Sequence, residues 1–161
     1  MVNSYGHLRV SAGGTASNIV ENGGVVTVLD GATAAFTPNS FSDLVLSSGQ
    51  TATVHSGTTA NSTTVSSDGS MQVYSGGTAS ATMLNSGGSL YVSSGGTANY
   101  IGHPWTGKQV TVQTGATVTH TIPNGIYYGN TTSNLISSYD SDLSQYNIPS
   151  GNSLVVVGKT V

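Results

Sequence analysis

The sequence predicts an all-β protein, a parallel β-solenoid built from stacked rungs of about 19 residues. Three observations carry this prediction: a short phrase that recurs six times, a nearly constant spacing between the copies, and glycine-marked turns within each copy. The clearest copies are residues 71–79 (MQVYSGGTA) and residues 90–98 (LYVSSGGTA). A repeat of this length indicates an architecture in which each unit packs on the next.

The period can be read from one valine in each copy, the second apolar residue of the alternating stretch. The steps between these valines are 18, 26, 19, 19 and 20 residues. A second aliphatic residue lies eight residues before most of them, so each rung holds two short strands and two turns. The first set is Val10, Val28, Val54, Val73, Val92 and Val112, and the second is Val2, Val20, Leu46, Val65 and Leu84.

The residues between the glycines suit strands and not helices. Thr, Val, Ile and Tyr favour a pleated, half-buried strand. Glycine supplies the positive φ that tight turns require, and its frequent occurrence leaves no apolar period of 3.6 residues. Two strands and two turns in about 19 residues fit one rung of a parallel solenoid, with rungs about 4.8 Å apart.

The interior is predicted to consist of ladders of equivalent residues. The six valines would stack along one wall, and Val20, Leu46, Val65 and Leu84 along another. Ala16, Ala60, Ala79 and Ala98 would fill corners that are too narrow for valine. Ser and Thr would then occupy the outward positions, where they can form hydrogen bonds along the stack.

The composition excludes several functional classes. Only 6% of the residues are charged and the net charge is −3, so a nucleic-acid partner is not expected. The chain has no cysteine, which removes disulfides, thiol catalysis and cysteine-ligated metals. The four histidines, His7, His55, His103 and His120, occupy different repeat positions and form no metal-binding ladder. No cofactor is expected.

An enzymatic role is a distant alternative, although some β-helices cleave polysaccharides. Such chemistry needs paired carboxylates, or a carboxylate with a cationic partner, above a groove. Asp140 and Asp142 are the only closely spaced carboxylates, and tyrosines rather than Arg or Lys lie beside them. The prediction is therefore a protein that is not an enzyme.

The first interruption of the repeat falls in residues 35–43. The step from Val28 to Val54 exceeds the period by about seven residues, and the excess contains both phenylalanines, Phe36 and Phe41. A loop that protrudes from a solenoid commonly carries recognition. Packing of both rings against the solenoid is the alternative, and the general burial of phenylalanine favours it.

The second interruption, residues 102–109, contains His103 and Trp105, the only tryptophan. An aromatic ring beside polar groups suits stacking against a sugar, so these residues are a second candidate recognition loop. Packing over a groove is again the alternative that burial favours.

The sequence divides into a repeat solenoid over residues 1–125 and a divergent end over residues 126–161. Four tyrosines occupy the first part of that end, and Ile148 and Val156 then restore the interval of eight residues. This pattern predicts a divergent terminal rung followed by a closing rung, because the last repeat must cover an exposed end. At the other terminus Met1 begins in the middle of a rung, so we expect a portion of a longer repeat region.

Residues 73–79 (VYSGGTA), 84–88 (LNSGG) and 92–98 (VSSGGTA) resemble the AIDA-type repeats of bacterial autotransporter adhesins. The resemblance covers residues 2–122 and is strongest over residues 54–98. It implies a right-handed β-helical passenger on the outer surface of a Gram-negative cell. It also implies adherence and self-association, leading to autoaggregation and biofilm formation.

Some passengers of this family carry O-linked heptose on repeat serines or threonines. The resemblance therefore implies that Ser75, Ser86, Ser93 and Ser94 are candidate glycan acceptors. The partners that it implies are copies of the chain itself, host-cell surfaces or glycans, and a heptosyltransferase.

The predicted function is that of an adhesive surface stalk that associates with its own copies. The alternative is a free-standing solenoid subunit that stacks end to end into an extracellular filament. Lateral association would use outward ladders of Ser, Thr and Asn, whereas end stacking would use the open terminal rungs.

Overall fold

A computed structural model describes residues 1–102, 110–122, 125–129 and 154–157 of the 161-residue chain. Every regular element in these ranges is a strand. Within them there is also no helix of the length and apolar character needed to cross a membrane. The strands are β1 (Val2–Asn3), β2 (His7–Val10), β3 (Thr15–Ile19), β4 (Glu21–Asn22), β5 (Val25–Val28), β6 (Thr33–Phe36), β7 (Asn39–Ser42), β8 (Val45–Leu46), β9 (Thr51–Val54), β10 (Thr58–Asn61), β11 (Thr64–Val65), β12 (Ser70–Val73), β13 (Thr78–Leu84), β14 (Ser89–Val92), β15 (Thr97–Gly102), β16 (Val110–Val112), β17 (Thr117–Ile122), β18 (Gly125–Gly129) and β19 (Leu154–Val157).

The strands stack in parallel as a solenoid with three walls, which confirms the predicted fold class. The first wall contains the pair β1–β4 and the row β8–β11–β13, and the second contains the pair β2–β5 and the row β9–β12–β14–β16. The third wall contains the pair β3–β6 and the row β7–β10–β13–β15–β17. Paired residues in consecutive rungs are about 19 positions apart, as Met71 and Leu90 are.

Ladders of equivalent residues form the core, as the spacing predicts. Val54, Val73 and Val92 are fully buried and pair with one another along the second wall. Leu46, Val65 and Leu84 do the same along the first wall. Each ladder removes apolar side chains from water at about 1.5–3 kcal/mol per residue. The third wall adds a column of buried alanines, Ala60, Ala79 and Ala98.

The predicted ladder of six valines is broken between the second and third rungs. Val10 pairs with Val28, but Val28 is 36% exposed and does not pair with Val54. Individual hydrogen bonds, rather than a ladder, join β9 to β5 and the residue before it. Thr53 N donates to the Gly24 carbonyl oxygen at 3.0 Å, and Val26 N donates to Thr53 Oγ1 at 2.9 Å. The repeat alignment was therefore wrong at this junction.

The extra residues of the second rung explain the break. β6 pairs with β3 below it, whereas β7 pairs with β10 above it. Residues 35–43 therefore contain the end of one third-wall strand and the whole of another. The second rung contributes two strands to this wall, and the excess over the period supplies the second of them.

Beyond β17 the chain changes from parallel to antiparallel pairing. β18 pairs antiparallel with β17, and β19 pairs antiparallel with β18. The sequence predicted a closing rung that contains Val156, but β19, which includes Val156, does not continue the parallel stack. Ile122 pairs with Gly125, which leaves two residues between them, the length of the tightest hairpin connection. The remaining predicted features of residues 126–161 lie outside the described residues.

Candidate functional site

The outer side of the third wall is a flat, uncharged polar surface. Five strands of this wall, β7, β10, β13, β15 and β17, pair in one parallel row, with a register shift between β13 and β15 after Ala79. None of these strands contains Lys, Arg, Asp or Glu. Side chains alternate between the two sides of a strand. Because the alanine column faces inward, the residues beside it face outward. We define this surface as the threonine face: Ser40, Thr59, Thr78, Thr97 and Thr117 form one row, and Ser42, Asn61 and Ser80 begin a second row.

The chemistry of the threonine face is that of many weak hydrogen-bonding groups at a regular spacing. Each hydroxyl can donate one hydrogen bond and accept two. Consecutive hydroxyls lie about 4.8 Å apart along the stack, the spacing of neighbouring strands. A second surface with the same spacing can therefore match the rows over many rungs.

The turns before the third wall place a column of serines on one corner of the solenoid. Ser56, Ser75 and Ser94 each precede a glycine with positive φ, and all three are exposed. Backbone hydrogen bonds fix this corner from rung to rung, including Gly57 N to the Gly76 carbonyl oxygen at 3.1 Å and Gly76 N to the Gly95 carbonyl oxygen at 2.9 Å.

The four predicted glycan acceptors differ in accessibility. Ser75 and Ser94 belong to this corner column, and Ser86 is exposed on the corner between the first and second walls. Ser93 is half-buried, and its hydroxyl lies 3.5 Å from the Ser94 carbonyl oxygen, to which it donates. Three of the four hydroxyls are thus presented to solvent at turns.

The two phenylalanines of the first predicted recognition loop lie in the strands that bound the rung junction. Phe41 is 8% exposed and pairs with Ala60, so its ring extends the alanine column inside the core. Phe36 is half-buried and stacks on the ring of His55, with centroids 4.4 Å apart. The residues of the second predicted loop, His103 and Trp105, lie outside the described residues.

His55 is the centre of an aromatic stack along the outside of the solenoid. Its ring lies between Phe36 and Tyr74, at 4.4 Å from each and nearly parallel to both. Burial is the main factor that raises the pKa of Tyr74, with smaller contributions from Tyr91 and Glu21. The stack ties the second rung to the third and fourth.

A buried carboxylate lies at the same junction, and no sequence pattern predicted it. Glu21 is fully buried and pairs with Val2, in the position that the repeat alignment gave to Val20. One oxygen, Oε1, accepts from Thr53 Oγ1 and contacts His55 Nδ1, both at 2.7 Å. The other, Oε2, accepts from His55 N at 2.7 Å. Only the break in the stack brings these donors to Glu21, so the repeat pattern could not reveal the cluster.

Comparison with known proteins gives a family for part of the chain. Residues 39–88 match the profile of the AIDA family, described as an adhesin of the bacterial autotransporter system and a probable stalk. No curated protein matches the chain. A solved structure that is similar is a TibC-catalysed hyper-glycosylated TibA fragment, with 32% sequence identity over 74% of this chain and a TM-score of 0.40. This chain spans 45% of the length of that fragment. The family match confirms the resemblance to the AIDA-type repeats of autotransporter adhesins over residues 39–88.

Proposed function

We propose that the chain is a stalk segment of a bacterial surface adhesin and that it self-associates laterally through the threonine face. The family of residues 39–88 supports the adhesive, non-enzymatic stalk. The observation that carries the lateral association is the threonine face itself: five parallel paired strands without a charged residue. This activity would take place on the outer surface of a Gram-negative cell and lead to autoaggregation and biofilm formation.

The energetics suit reversible association. A hydrogen bond between two surfaces contributes only about 0.5–1.5 kcal/mol net, because water is displaced from both partners. A row of equivalent hydroxyls adds such contacts with every rung, so affinity grows with the length of the stalk. The absence of charge from the strands of the face removes the desolvation cost that buried ions would bring.

Lateral association is favoured over end-to-end stacking by the pairing of β18. This strand lies antiparallel on β17 and so occupies hydrogen-bonding groups that a further parallel rung would need. An antiparallel strand is also a poor template for a parallel stack. The filament alternative predicts that Val156→Pro, in β19, abolishes assembly; lateral association predicts that it does not.

The test places positive charges on the threonine face. Two copies that meet through this face would bring the new charges together and bury them, so Thr78→Lys with Thr97→Lys should abolish self-association. The matched control is Thr111→Lys with Gln113→Lys, two exposed positions on the second wall and just after it. Sedimentation velocity measures association, and circular dichroism checks the fold. Equal association by both double variants would contradict the proposal.

We further propose Ser75, Ser86 and Ser94 as glycan acceptors, since their hydroxyls are exposed at turns where a transferase can reach them. Ser93 is the weakest of the predicted acceptors because it is half-buried. Peptide mass mapping of the protein from its own organism tests this: sugar increments should fall on the three exposed positions. Modification confined to the strands would contradict it.

A further inference from the structure

A small notch interrupts the corner between the first and second walls. Three consecutive rungs cross this corner with turns of different length: residues 4–6 between β1 and β2, residues 23–24 between β4 and β5, and residues 47–50 between β8 and β9. The middle turn is the shortest. Its neighbours therefore project beyond it on both sides and leave a recess above Gly23.

The notch has two walls and a floor. Ser4, Tyr5 and His7 of the first rung line one wall, and residues 48–51 of the third rung line the other. Gly23 and Leu46 form the floor. The cavity between the walls has a volume of about 220 Å³. That volume is below the range of about 300–1,000 Å³ for pockets that hold drug-sized ligands, so the notch suits one ring-sized group.

Gly23 keeps the floor low. Its φ is 84°, which glycine adopts without strain. A Cβ atom at this position would lie 2.8 Å from Ser4 Oγ and 2.9 Å from Leu44 Cδ1. A side chain at this position would therefore require the side chains of Ser4 and Leu44 to shift.

The lining combines an aromatic ring with uncharged hydrogen-bonding groups. Tyr5 is 79% exposed. Gln50 Oε1 accepts from Ser47 N at 2.9 Å, and none of the described residues accepts from Gln50 Nε2. None of the described lining residues carries a carboxylate, an ammonium or a guanidinium group. This chemistry suits a neutral ligand with one apolar face and several hydroxyls.

Tyr5 is held in a costly conformation. Its φ is 66°, in the left-handed region that bulky residues avoid. The shorter turn of the next rung has glycine in this region. A large, exposed side chain that is kept in a strained turn indicates a functional constraint, because strain of this kind concentrates at ligand sites.

We propose that this notch binds one neutral pyranose unit of a glycan, with the Tyr5 ring against the apolar face of the sugar and Gln50 Nε2, His7 and Ser4 bonded to its hydroxyls. The notch lies on the corner between the first and second walls, whereas the threonine face is the outer side of the third wall. Sugar binding and self-association are therefore separable.

The test is saturation-transfer NMR with D-glucose, D-galactose, D-mannose and N-acetyl-D-glucosamine, and with N-acetylneuraminic acid as an anionic comparison. A single ring with few contacts should bind with a dissociation constant in the range of about 1–10 mM. At least one neutral sugar should show transfer, and the anionic sugar should bind more weakly. No transfer from any neutral sugar at about 100 mM would overturn the proposal.

Variants of Tyr5 separate binding from folding. Tyr5→Gly removes the ring and relieves the positive φ, so the melting temperature should rise while affinity falls by about tenfold or more. Tyr5→Phe should bind like the parent protein, and Gln50→Ala should bind more weakly. The control is Tyr91→Ala, a half-buried tyrosine of the second wall that does not line the notch. Unchanged affinity in Tyr5→Gly would overturn the proposal, and sedimentation of the same variant should show self-association unaltered.

Discussion

The buried carboxylate of Glu21 should hold the second rung to the third. Replacing Glu21 with alanine removes the acceptor for three donors: Thr53 Oγ1, His55 N and His55 Nδ1. A carboxylate oxygen accepts, so His55 Nδ1 is the donor in this contact. The stacked rings of Phe36 and Tyr74 keep His55 in place after the substitution. The donors would then remain close together without their acceptor.

The magnitude follows from burial. A hydrogen bond to a charged group contributes about 1.5–3 kcal/mol, so three such bonds set an upper range of about 5–9 kcal/mol. Water that enters the space left by the side chain recovers part of this. Removing one partner of a buried pair typically costs about 3–5 kcal/mol. We therefore expect Glu21→Ala to lower the free energy of unfolding by about 3–5 kcal/mol, and Glu21→Gln by less.

Urea unfolding followed by circular dichroism measures this loss. The matched control is Asp30→Ala, which removes an exposed carboxylate and should change stability by no more than about 0.5 kcal/mol. Hydrogen exchange at the amides of Val26 and His55 reports the junction itself, since both are held by the cluster. If Glu21→Ala and Asp30→Ala unfold at the same urea concentration, the reasoning is refuted.

Three further predictions concern the backbone and the core, and urea unfolding measures each of them. Ala81 has φ 51°, so Ala81→Gly should raise the free energy of unfolding by about 0.5–1 kcal/mol. The control Ala79→Gly, at a buried strand position, should lower it by about 1 kcal/mol or more. A lower free energy of unfolding in both variants would refute the strain argument. A Cβ at Gly77 would lie 2.3 Å from a backbone oxygen, whereas a Cβ at Gly13, where φ is 75°, would meet open space. Gly13→Ala should therefore lower the free energy of unfolding by about 1–2 kcal/mol through backbone strain alone, and Gly77→Ala should lower it by more. Equal decreases in the two variants would contradict this reasoning. Burial raises the pKa of Tyr100, so above the unfolded value of about 10 the unfolded state loses a proton that the folded state keeps. Stability should then fall by about 1.4 kcal/mol per pH unit from this group. The pKa of Tyr74 is raised too, so Tyr100→Phe should make the slope shallower without abolishing it, and an unchanged slope would count against the reasoning.

The repeat made most of the fold predictable from the sequence. Equivalent positions such as Val54 and Val73 share one environment, so a single rung determines the rest. The threonine face follows from the same regularity, because residues next to Ala60 and Ala79 must point outward. The exposed corner serines are predictable for that reason too.

The departures from the sequence prediction come from positions where the repeat does not apply. Seven extra residues before Val54 could form a loop or a strand, and spacing alone does not choose between them. They form β7, and the resulting junction buries Glu21 where Val20 was expected. The antiparallel β18 has a sequence signal, because the Asn124-Gly125 dipeptide is typical of hairpins. The prediction of a further parallel rung did not take this dipeptide into account.

Cysteine cross-linking tests the central proposal, lateral association through the threonine face, most directly. The chain contains no cysteine, so a single introduced thiol reports one position only. Two cysteines form a disulfide only when their Cα atoms come within about 7 Å. On mild oxidation, at least one of Thr59→Cys, Thr78→Cys and Thr97→Cys should give a covalent dimer, and Thr111→Cys on the second wall should remain monomeric. Dimers from Thr111→Cys alone would contradict the proposed face.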